Sequence, residues 1–86
     1  MSMPQSRRKA FVFDERALEI RMQFDDGEWT TWVFEENQRL VPIGSIEPET
    51  VQEAMSQGID AIGDLMEAAM SDVLAGAVEL PPRRVR

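Results

Sequence analysis

Between Leu18 and Asp25 apolar and polar residues alternate without a fault, Leu18, Ile20, Met22 and Phe24 against Glu19, Arg21, Gln23 and Asp25. A period of two puts the two sets on opposite faces of an extended chain, so this stretch reads as a half-buried strand. Asp26-Gly27 comes next, the dipeptide that best tolerates the positive φ angles of a two-residue type I′ turn. The chain must reverse there, and the reversal sets a register. Phe24 faces Trp29, Met22 faces Thr31 and Ile20 faces Val33, while Arg21 faces Trp32 on the other side.

The same logic extends outward. Phe11 to Phe13 is expected to begin the sheet, joined through a four-residue turn over Asp14–Ala17 that sets Phe13 beside Leu18 and Phe11 beside Ile20. One face then collects Phe11, Phe13, Leu18, Ile20, Met22, Phe24, Trp29 and Val33. The other holds Val12, Arg21, Trp32 and Phe34 beside Glu19, Gln23 and Thr30. Large aromatics on the nominally wet side of a sheet point to a contact surface, so Arg21, Trp32 and Phe34 are candidate partner or oligomer residues, with Arg21 expected over Trp32 as a cation–π pair. Coverage by a tail or a helix end is the ordinary alternative. Glu35 to Arg39 reads as a polar turn, and Leu40 to Ile43 as a short fourth strand that Pro42 confines to an edge or a bulge.

From Pro48 to Gly76 the period changes. Val51, Met55, Ile59, Ile62, Met66, Ala69, Met70 and Val73 share one helical face, and Glu49, Glu53, Asp60, Asp64 and Glu67 the opposite one. Pro48 suits a first helical turn and Gly76 a terminating residue. One straight rod over these 29 residues would be ~43 Å long, beyond the ~30 Å diameter of a compact chain of this size. Either the helix breaks near Gly58 or its overhang packs on another subunit. The apolar phase runs through Gly58 and Gly63 unchanged, so periodicity leaves both open.

The fold class that follows is α+β: a three- to four-stranded antiparallel β-meander, packed on one face by a long or kinked C-terminal helix or helix pair. The expected division is a basic flexible tail over 1–9, one domain over 10–80 (sheet 10–46, helical region 47–77) and a Pro/Arg tail over 81–86.

Charge narrows the function. The net −7 conceals an uneven distribution: residues 10–82 hold three basic side chains, Arg16, Arg21 and Arg39, against all sixteen acidic ones. From Ile46 to Pro82 there is no Lys or Arg. Solvated helices usually mix signs, whereas Glu49/Glu53 and Asp60/Asp64 are like-charge pairs four apart, which cost a few tenths of a kcal/mol each. A plain acidic surface is the ordinary reading. The sharper one is a small non-enzymatic interaction module, an adaptor, chaperone or antitoxin-like inhibitor, that engages a basic protein through Glu49, Glu53, Asp60, Asp64 and Glu67, with Trp32 and Phe34 as apolar anchor. A homodimer is expected, and the basic arm at Arg7–Lys9 is expected to meet acidic surface, that of a second subunit. Direct nucleic-acid binding is not expected from so acidic a body. A mimic of nucleic acid and a structural subunit of a homo-oligomer are the alternatives.

Catalysis has little to work with. There is no histidine, cysteine or tyrosine, which removes the commonest general bases, nucleophiles and soft-metal ligands. Asp60, Asp64 and Glu67 are the remaining carboxylate cluster, on the face pointing away from the core, and Asp25-Asp26-Gly27-Glu28 is better explained as a turn than as part of a calcium loop. No catalytic, metal or cofactor residue is assigned. No apolar run approaches the ~20 residues of a membrane span, and a soluble cytoplasmic protein is expected.

Overall fold

Three tight reversals build the sheet of the computed structural model, which describes residues 7–82. Strands β1 (Arg8–Phe13), β2 (Arg16–Asp25), β3 (Glu28–Glu35) and β4 (Gln38–Ile46) lie antiparallel in the order β1-β2-β3-β4. Each junction is two residues at positive φ: Asp14 and Glu15 (55° and 60°), Asp26 and Gly27 (52° and 78°), Glu36 and Asn37 (52° and 65°). Such turns carry the twist that flanking strands need.

The β2–β3 register is the one read from the alternation, with Phe24 opposite Trp29, Met22 opposite Thr31, Ile20 opposite Val33 and Arg21 opposite Trp32. The first turn is tighter than expected. In place of a four-residue loop over 14–17, Phe13 pairs with Arg16 and Phe11 with Leu18. A slip of two residues keeps every side chain on its face, which is why alternation alone does not reveal it. Arg16 thereby joins β2 and forks onto Glu35 of β3, Nε–Oε2 3.1 Å and Nη2–Oε1 2.8 Å, in a largely buried pair. β4 is also longer than the expected 40–43, and it passes Pro42 with two register shifts, as a proline-bearing edge strand must.

The helical region is two helices, α1 (Pro48–Ser56) and α2 (Ala61–Leu74). Gly58, at φ 77°, ends the first. Its N–H donates to the Met55 carbonyl at 3.0 Å and the Ile59 N–H to the Ala54 carbonyl at 2.9 Å, the paired bonds of a Schellman cap. Gly76 closes α2 the same way, through the Val73 and Asp72 carbonyls. Asp60 opens α2, its side chain accepting from the Gly63 N–H, so a stop and a start are packed into four residues.

α2 crosses all four strands, and α1 rests chiefly on α2. The core joins Leu18, Ile20, Met22 and Val33 of the sheet to Met66, Ala69 and Val73 of α2. Each fully buried aliphatic side chain contributes about 1.5–3 kcal/mol of hydrophobic stabilisation. Thr31, fully buried, spends its hydroxyl on Gly44, donating to its carbonyl and accepting its N–H, both at 3.1 Å. The expected apolar stripe is only half realised. Val51, Met66, Ala69 and Val73 are buried, whereas Met55 is 65% and Ile59 47% exposed, because the break at Gly58 turns α1 away from the line of α2. The molecule is an α+β protein with a four-stranded antiparallel sheet under two helices. Among the described residues no helix is long and apolar enough to cross a membrane.

Candidate interaction site

The five helical carboxylates read from the sequence do not form one stripe. Glu49 and Glu53 lie on α1, Asp64 and Glu67 on α2, and Asp60 in the break between them. Two of the five are already engaged within the chain. β1 begins at Arg8, not at Phe11, and its basic end runs beside α2. Arg7 forks onto Asp60, Nη1–Oδ1 2.8 Å and Nη2–Oδ2 2.9 Å, and Lys9 reaches the Glu67 carboxylate at 2.6 Å. Residues 7–9, expected in a flexible tail that met a second subunit, are instead ordered against their own helix. The rest of that tail, 1–6, and residues 83–86 of the C-terminal one lie outside the described residues.

Asp60 is the hinge of this cluster. Hydrogen bonds from Arg7, and then from the Gly63 N–H, hold its carboxyl at about 2 against an ordinary 3.8, with the Arg7 charge adding to them. A Cβ on Gly63 would run into the Asp60 Oδ2 and stand 2.9 Å from its Cγ, so only glycine lets the cap and the arginine sit together. Asp60 and Glu67 are thus tied into the fold. Glu49, Glu53 and Asp64 are exposed and make no ion pair among the described residues. Among those residues no three acidic side chains, Asp60, Asp64 and Glu67 included, gather into a metal site.

The second sheet face is roofed by its own arginines. Arg21 lies over Phe34 at 4.3 Å and Arg39 over Trp32 at 4.2 Å from ring centroid to guanidinium carbon. Arg21 therefore stacks on Phe34 rather than on its cross-strand partner Trp32. It is drawn along the sheet by Glu19, at 2.7 Å, and by Asn37, at 2.7 Å, while Arg39 is held by Gln23 and Asp25. Phe34 is buried to 6% exposure, and the Trp32 Nε1 is buried without a hydrogen-bond partner among the described residues. Neither ring stands bare as an apolar anchor, contrary to the expectation from the sequence. A guanidinium spread over each has taken that place.

Bare apolar surface appears elsewhere. Phe24, expected in the core, is 54% exposed and meets Trp29 edge-on, ring centroids 5.2 Å apart. Together with Pro48, Val51, Gln52 and Met55 of α1 and Ile62 of α2 they line a groove of about 660 Å³. It lies where the core packing stops: Leu18, Ile20 and Met22 of β2 pack with α2, and Phe24 does not. α2 does not cover the hairpin tip, and α1 leans beside it without closing the gap. Asp26 and Glu28 flank Phe24 and Trp29 in the chain; on α1, Glu49 lies beside the groove-lining row and Glu53 on the face turned away from it. None of these four makes an ion pair among the described residues, while neighbouring Asp25 meets Arg39 at 3.3 Å.

The sequence held one signal for this groove. Phe24 and Trp29 adjoin the turn, at the outer end of their strands, where cover depends on a helix whose continuity past Gly58 the periodicity leaves open. Compared with protein-family models, with curated proteins and with solved structures, the chain matches none.

Proposed function

We propose that this chain is a non-enzymatic protein-interaction module for a basic partner, and that the groove between the β2–β3 hairpin tip and α1 receives it. The observation that carries the reading is the coincidence of exposed Phe24 and Met55 with three carboxylates beside them, Asp26, Glu28 and Glu49, that have no counter-charge among the described residues. Apolar surface of this kind, rimmed by one sign of charge, fits an amphipathic segment whose apolar face enters the groove while Lys or Arg at its margins meet the rim. The acidic docking face thus moves from a whole helix to α1 and the hairpin tip. Asp60 and Glu67 serve the fold, and Asp64 lies beside them.

Trp29 lines the groove and reports on it. Titration with a synthetic amphipathic Leu/Lys peptide should perturb Trp29 fluorescence at micromolar concentration, and the Leu/Glu peptide of the same pattern should not. Met55→Glu should weaken binding at least ~tenfold, and Glu49→Lys should weaken it and flatten its salt dependence. Equal affinity for both peptides, or indifference to Met55→Glu, would defeat the proposal.

A further inference from the structure

The two edges of the sheet are unlike. β4 carries Pro42, which has no N–H to offer, and two register shifts, both devices that spoil an edge for further pairing. β1 has neither: Arg8–Phe13 holds no proline and no glycine and pairs with β2 in unbroken register. Behind a two-residue turn the ladder bonds belong to the pairs Phe13–Arg16, Phe11–Leu18 and Lys9–Ile20. The alternation continues at Arg7, whose carbonyl accepts from the Met22 N–H at 3.3 Å. The backbone groups of Arg8, Ala10 and Val12 consequently point out of the sheet. β1 is its last strand, and the Val12 side chain is 68% exposed.

A row of outward donors and acceptors at every second residue is matched only by another extended strand. We propose that this strand is β1 of a second copy, paired antiparallel about a two-fold axis at Ala10. Charge selects that occupant. Arg7 and Lys9 are spent on Asp60 and Glu67, whereas Arg8, more than half exposed, meets only Glu19 among the described residues, at 3.8 Å, and stands at one end of the strand, with Asp14 just past the other. Two identical strands laid antiparallel set each Arg8 toward the other's Asp14, whereas a parallel pair sets Arg8 against Arg8 and Asp14 against Asp14. The axis at Ala10 places Arg8 opposite the partner's Val12, with the partner's Asp14 one diagonal step further on. Arg8, Ala10 and Val12 then exchange six N–H···O bonds across the axis, and the four-stranded sheet becomes one of eight. Phe11 and Phe13 stay on the helical side. The pairing is independent of the groove, which lies at the hairpin tip and on α1.

Two strands of six residues form an interface below the ~1,200 Å² of stable complexes, so reversible association with Kd of roughly 10–100 μM is expected. Sedimentation equilibrium of the full chain from about 5 to 500 μM, a range that brackets that Kd, tests this. A monomer–dimer equilibrium is expected. Ala10→Lys with Val12→Lys should raise Kd at least ~tenfold with an unchanged circular dichroism spectrum, and Ser45→Lys on the β4 edge should not alter it. Val12→Pro should act like the lysines, because the Val12 N–H makes no bond to β2. Independently, hydrogen exchange at the Arg8, Ala10 and Val12 amides should slow as concentration rises. A monomer throughout, a dimer indifferent to the β1 lysines or weakened by Ser45→Lys, or exchange at those three amides that ignores concentration would each overturn the pairing.

Discussion

Asp60→Ala tests the account of the Arg7–Asp60–Gly63 cluster most directly. Asp60 does two jobs: it caps α2 through the Gly63 N–H at 3.1 Å, and it receives both Nη atoms of Arg7 at 2.8 and 2.9 Å. Loss of a cap costs ~1 kcal/mol. The ion pair adds only ~0.5 kcal/mol, since the Asp60 side chain is 60% exposed and solvent screens it. The sum of ~1.5 kcal/mol corresponds to a melting temperature lower by ~6–12 °C for a domain of this size. Asp60→Asn separates the two terms, because Asn caps as well as Asp but carries no charge, and it should cost ~0.5 kcal/mol.

The pH dependence supplies a second constraint on the same residue. The Asp60 carboxyl ionises at about 2 in the fold against an ordinary 3.8. A depressed folded value means stability that is complete above about pH 4 and lost as pH falls toward 2. Taken at face value the shift is worth ~2.4 kcal/mol, which exposure to solvent reduces to ~0.5 kcal/mol, the cost expected of Asp60→Asn. The difference between wild type and Asp60→Asn, read from urea unfolding at a series of pH values, should therefore shrink between pH 4 and pH 2. If Asp60→Ala unfolds within ~0.3 kcal/mol of wild type at pH 7, or if the Asn difference is flat over that window, the cluster does not hold α2 as described.

Three further perturbations probe separate parts of the molecule. Gly63→Ala, a change that stabilises an ordinary helix interior by about 1 kcal/mol, should here destabilise by a similar amount, because the new methyl group displaces the Asp60 carboxylate; a gain in urea midpoint would contradict the packing. Arg16→Ala should cost ~2–3 kcal/mol in chemical denaturation, since it leaves the largely buried Glu35 carboxylate without its forked guanidinium, whereas a cost under ~0.5 kcal/mol would mark the pair as a surface one. Arg39→Ala should cost only ~0.5–1 kcal/mol but should shift Trp32 emission by admitting water to the ring; unchanged fluorescence would show that the guanidinium is not its cover.

Local chemistry determined most of the sheet. The alternation through Leu18–Phe24 and the Asp26-Gly27 turn specify a strand, a reversal and a register together, because a period of two and a positive-φ dipeptide are properties of adjacent residues. Pro42 likewise marked an edge strand before any partner was known, since an absent N–H is absent in every fold. Other features were beyond that reach. The stripe from Val51 to Val73 has the same phase whether the helix is whole or broken, so only the folded chain, with Gly58 at φ 77° and two capping bonds to α1, decided for two helices. That break left Met55 and Phe24 in the open, because the exposure of a face depends on whether the element above it reaches it. The carboxylates sorted themselves by the same logic. Nothing in the neighbourhood of Asp60 or Glu67 announces Arg7 and Lys9, and only the sheet, by carrying β1 back alongside α2, converts a distant basic segment into their counter-charge.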